Sequence, residues 1–138
     1  MKRFPIEELE KRIKEIDELI QKGDGQQAAE KVYSVVESCI KILAEKYNLP
    51  EYQKVQSSEK KAWLTYWLFD AAKKLAGKDK EDKEKKYKID EKIWRIWNDA
   101  WNLHVWGFHE KYWDLEDIKE RIPVAQEMLE ITKKHLGI

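Results

Sequence analysis

A single cysteine, Cys39, excludes a disulfide framework within the chain and any metal site built on cysteine pairs. Reducing surroundings suit it. Charge of one sign is missing too: 27 basic and 27 acidic residues cancel to a formal net charge of zero, which excludes a broad basic field for nucleic acid. Only a local patch is left to do that work. No run approaches the roughly 18 apolar residues of a membrane span, and the opening MKRFPIEELEKR brings charges before any apolar run of signal-peptide length. These absences predict a cytoplasmic protein with no membrane partner. Glycine-rich phosphate loops, dinucleotide fingerprints, HExxH pairs and the G-x-S-x-G nucleophile elbow are also lacking, so no cofactor and no metal is expected.

Five glycines and three prolines leave few helix breakers, while Lys, Arg, Asp and Glu make up 39% of the chain. Lysine and glutamate dominate, as in hyperthermophile proteins. One domain spanning residues 1–138 is expected, large enough to bury a core without metal or disulfide staples.

Pro5 suits the first turn of a helix, and Ile6, Leu9, Ile13, Ile16 and Ile20 give that helix one apolar face. Gly23-Asp24-Gly25 is a turn. Ala28, Val32, Val35, Val36, Cys39, Ile40 and Leu43 then line a second helix that ends near Tyr47, stopped by Asn48-Leu49-Pro50. Ser57 or Ser58 is expected to cap a third helix carrying Trp63, Leu64, Trp67, Leu68, Ala71 and Leu75, with Gly77 at its end. Gly77 to Lys88 holds six lysines and four acids and reads as a solvated linker. A fourth helix runs from about Asp90 to about Tyr112. Asp114 caps a fifth, which Pro123 kinks or splits because an interior proline costs about 3 kcal/mol. No strand alternation appears, so the fold class is all-α: an antiparallel bundle of four or five helices with a proline-kinked C-terminal helix.

The candidate site lies in IWRIWNDAWNLHVWGFHEKYW, residues 93–113, which holds five of the seven tryptophans and two of the three histidines. Written as an α-helix, Trp94, Trp97, Trp101, His104 and Phe108 share an apolar stripe, and Arg95, Asn98, Asp99 and Asn102 gather opposite. His104 must bury an imidazole and so needs a hydrogen-bond partner; it is either a satisfied core residue or a general base. His109, five residues on, falls about 140° away on an α-helix, near Arg95 and Asn98, which argues against a shared metal. Trp106 and Trp113 lie off the stripe and, with His109, are candidates for a partner surface.

The run KGDGQQAAEKVYSVVESCIKILAEKYNLPE, residues 22–51, and AWNLHVWGFHEKYWDLEDI, residues 100–118, resemble the archaeal PaREP family, grouped within the HEPN (higher eukaryote and prokaryote nucleotide-binding) superfamily. The resemblance implies a helical bundle that commonly forms homodimers. It also implies an activity, since many superfamily members are metal-independent ribonucleases with an arginine, a following polar residue and a histidine four to six residues past the arginine. His104 matches that histidine and Asp99 the polar residue, but Asn98 occupies the arginine position and cannot supply a charge-assisted phosphate contact. Arg95, nine residues before His104, falls on the far side of a regular helix. The motif is incomplete. The expectation is therefore a non-catalytic or degenerate nucleotide- or RNA-associated homodimer, with two alternatives: an endoribonuclease using His104, or an antitoxin-like or structural protein-interaction module.

Overall fold

The structure, a computed structural model, describes residues 4–138. Met1 to Arg3, the charged start of the chain, lie outside the described residues. The elements are α1 (Phe4–Gln21), α2 (Gly25–Lys46), α3 (Pro50–Ser57), α4 (Thr65–Ala76), α5 (Lys92–Asn102), a π-helical segment (Leu103–His109), α6 (Leu115–Lys119) and α7 (Pro123–Leu136). No strand occurs among the described residues. The five long helical rods are the expected bundle, and none is long and apolar enough to cross a membrane.

α2 is the axis of the molecule and packs against every other helical segment. Its sequence explains the position: Val32, Val35, Val36, Cys39, Ile40 and Leu43 cover a wide arc and are all fully buried, so the helix needs apolar partners on several sides. Asp24 starts it, its carboxylate accepting the Gln27 N–H at 3.1 Å. Burial pushes the Cys39 thiol up to about 12, which makes it an inert core group.

Between α2 and α5 the chain departs from its sequence reading. Asn48, left-handed at φ 50°, ends α2, and Pro50 begins α3, because a proline at the first helical position loses no hydrogen bond. Ser57 and Ser58 close α3 instead of capping the next helix; α4 begins at Thr65, so Trp63 and Leu64 lie before it. Gly77 ends α4 as expected, in the left-handed conformation at φ 72°. The lysine-rich stretch after it is a folded return and not a free linker. Ile89 and Asp90 N–H both donate to the Leu75 carbonyl, Asp82 accepts the Lys86 N–H, and Tyr87 packs on the core.

The expected continuous helix from Asp90 to Tyr112 changes character at Leu103. Its N–H bonds then reach five residues back, as Glu110 N to Val105 O at 2.7 Å illustrates, and the rod ends at His109. The inward line is also shifted. Ile93, Ile96, Trp97, Ala100, Leu103 and Gly107 are buried, while Trp94, Trp101, His104 and Phe108 lie half-buried on its flank. Packing distance explains the shift: a Cβ built on Gly107 would stand 2.9 Å from the Ala29 Cβ, so the backbone approaches α2 closer than an indole allows.

The C-terminal segment divides as Pro123 requires, into α6 and α7. Asp114 and Asp117 form a reciprocal capping box on α6. Gly107→Ala is expected to destabilise the fold by about 1–3 kcal/mol through overpacking on Ala29. Paired melts should show Ala29→Gly restoring part of the loss; strictly additive effects would disprove the close contact.

Candidate functional site

The π-helical segment decides the site. The wider π-helical turn, with hydrogen bonds five residues apart, brings positions i and i+5 onto one face, so His109 comes to lie beside His104 and not 140° from it. Their Nε2 atoms are 3.1 Å apart, and the rings are nearly perpendicular at 85°. On its other side, His104 Nδ1 is 2.8 Å from the Glu30 carboxylate of α2. A carboxylate only accepts, so His104 carries its hydrogen on Nδ1 and donates it to Glu30. Neutral His104 then presents a lone pair on Nε2, and His109 Nε2–H donates to it. The result is a row of three groups, Glu30, His104 and His109, running from a half-buried acid to an exposed imidazole.

Aromatic rings hold His104 in place. Tyr33 of α2 stacks on it at 4.2 Å between centroids, with Trp101 at 5.3 Å and Phe108 at 6.4 Å. Burial, with Glu37 and Glu30 nearby, pushes the Tyr33 hydroxyl far above its ordinary range, so it stays neutral.

The other residues of the expected motif point elsewhere. Arg95 Nη2 donates to Glu127 of α7 at 2.6 Å, with Asp99 at 4.0 Å from Nη1. Asn98 turns back on its own helix, its Nδ2 donating to the Trp94 carbonyl at 2.7 Å. Neither has a hydrogen bond to the histidine row. Glu30 was missing from the sequence reading, because the pairing of α2 with the π-helical segment is tertiary.

Beyond His109 the chain reverses at Lys111, φ 55°, so that Tyr112 and Trp113 N–H both reach the Trp106 carbonyl. Trp106 is 43% exposed and Tyr112 78% exposed. Trp113 is half-buried, with the Arg121 guanidinium 3.9 Å over its ring. These residues and Asn102 line a shallow groove of about 200 Å³.

A second cleft, about 640 Å³, opens among α3, α4, α5 and the return after α4. Lys54, Lys73, Lys74, Lys78 and Lys80 line it with Trp94 and four acids, Glu51, Asp70, Asp79 and Glu81. Lys74 bridges Glu51 at 2.6 Å and Asp79 at 3.0 Å. Burial alone would lower the Lys74 ammonium; the two carboxylates outweigh it and hold the group above its ordinary range. Lys54, Lys73, Lys78 and Lys80 form no ion pair among the described residues, and Lys73 sits over the Trp94 ring at 5.6 Å. Glu51 is only 1% exposed, and its Oε1 has no hydrogen-bond partner among the described residues. Sequence periodicity could not reveal this cleft, since four separate segments build it.

Nitrogen-detected NMR under conditions where the histidines are neutral should find His104 as the Nδ1–H tautomer and His109 as Nε2–H. Glu30→Gln should let the His104 tautomers mix, and an Nε2–H His104 in the wild type would break the row.

Over 93% of its length this chain resembles a crystal structure of a Sulfolobus solfataricus protein, 30% identical, covering 95% of that chain at a TM-score of 0.71. A solution structure of the same structural-genomics target is 29% identical, with 93% and 90% coverage and a TM-score of 0.70. No curated protein matches. Residues 4–129 match the archaeal PaREP1/PaREP8 family, and the chain belongs to that family.

Proposed function

We propose that this protein is a cytoplasmic nucleotide- or RNA-associated binding module that works as a homodimer and performs no chemical step. The lysine cleft carries the reading. Four lysines free of ion pairs supply cations for phosphate, and Trp94 offers an aromatic edge to a base. Asp70 and Glu81 temper the positive charge, which fits modest affinity. The resemblance to the HEPN superfamily supports the same reading. Against catalysis stands the histidine site itself: its imidazole nitrogens are occupied by Glu30 and His109, and Arg95, committed to Glu127, is not aimed at a phosphate there.

A second reading is a metal-independent endoribonuclease, favoured by the carboxylate-oriented imidazole with a second imidazole to exchange protons. It requires His109 to swing aside. Exposed Trp106 and Tyr112 favour a protein partner as a third reading, and they also offer apolar area for the dimer.

Anisotropy titrations of short single-stranded RNA over a salt series separate these readings. Each phosphate contact contributes roughly 0.7 to the slope of log affinity against log salt, so replacing Lys54, Lys78 and Lys80 by alanine should flatten it by about 2. Affinity unmoved by salt or by these replacements overturns the binding module, and RNA cleavage abolished by His104→Ala establishes the enzyme. Sedimentation equilibrium should give a dimer at micromolar concentration; a monomer removes that part of the proposal.

A further inference from the structure

We infer that His104 and His109 form a two-histidine chelate for a divalent transition metal of the Zn²⁺, Cu²⁺ or Ni²⁺ type. The angular argument against a metal shared by these two histidines depended on α-helical geometry, and the π-helical segment removes it. Two imidazole nitrogens bound about 2.0–2.1 Å from one ion stand roughly 2.9–3.4 Å apart for right-angled to tetrahedral geometry. The His104 and His109 Nε2 atoms are already 3.1 Å apart. The two nitrogens already have the separation a common ion requires, and each ring has only to tilt out of the hydrogen-bonded line to aim its lone pair at that ion.

The surroundings suit a metal-bound histidine. His104 donates its other ring N–H to Glu30 at 2.8 Å, the carboxylate–histidine arrangement that fixes the tautomer and raises the basicity of the coordinating nitrogen. Stacking on Tyr33 limits rotation of the ring. His109 is exposed, so an ion has a route in and water can fill the remaining positions. Neutral His109 gives up its Nε2 hydrogen by shifting it to Nδ1 through solvent exchange, so the ion adds with no net release of protons. Among the described residues no group of three or more His, Cys, Asp or Glu side chains could hold a metal, so this site offers two protein ligands and binds exchangeably. Imidazole selects Cu²⁺ over Zn²⁺ and excludes Mg²⁺ and Ca²⁺.

The inference is independent of the lysine cleft. Its test uses the full chain without a histidine tag, stripped with EDTA and titrated with Zn²⁺ by calorimetry and with Cu²⁺ while tryptophan emission is followed. Trp101, 5.3 Å from His104, is the reporter. One ion per chain is expected, with Cu²⁺ binding tighter than Zn²⁺ and quenching the emission. His109→Ala should weaken binding at least tenfold and remove the quenching while circular dichroism shows unchanged helix content, since that ring is exposed. Glu30→Gln should weaken binding by about 10- to 100-fold. His135→Ala is the control, because its Nδ1 pairs with the Tyr47 hydroxyl at 3.0 Å, away from this site. Wild-type binding equal to that of His109→Ala, or loss that follows His135 instead, overturns the chelate.

Discussion

The contact between Gly107 and Ala29 governs the histidine-bearing end of this molecule. At that point two backbones approach so closely that a Cβ on the glycine would stand 2.9 Å from the alanine methyl. The approach coincides with the π-helical turn, which places Leu103 and Gly107 inward and sets His104 on the flank facing Tyr33 and Glu30 of α2. An α-helix through the same residues would send His109 away to the polar side. The wider turn instead sets it edge-on beside His104, so one local change of helix type creates the only close histidine pair among the described residues.

Two kinds of chemistry stand apart on the surface. Histidine nitrogens gather at the π-helical turn, where aromatic rings replace water around His104 and no guanidinium joins the row. Ammonium groups gather at the cleft beside α3 and α4, where Glu51 and Asp79 hold one lysine and leave others free. Unpaired ammonium groups and imidazole nitrogens therefore belong to different places. A nuclease needs both at one point, which is the physical reason for preferring a binding role.

Much of the bundle was legible in residue order. Proline and glycine punctuation, the apolar stripes of α1 and α2, the Asp114 cap and the break at Pro123 depend on neighbours within a few residues, so sequence reports them well. Ser57 and Ser58 misled because serine serves either end of a helix and only the packing of Val55 shows that α3 was already under way. The indole stripe was right at Trp97, which is fully buried, and shifted at Trp94 and Trp101, which lie half-buried against the core. Hydrophobicity ranks tryptophan as a core residue, whereas closeness to α2 demanded small side chains such as Ala100 and Gly107 at the centre.

By itself, the sequence determined an all-helical chain without disulfides, a concentration of aromatics and histidines between residues 93 and 113, and the need of His104 for a polar partner. Those properties follow from composition and from chemistry carried by each residue. Only tertiary structure decided that the partner is Glu30, that His109 turns toward His104, that Arg95 is spent on Glu127, and that scattered lysines share a cleft. Each of these depends on how two helices approach one another, a distance that no spacing within one helix encodes.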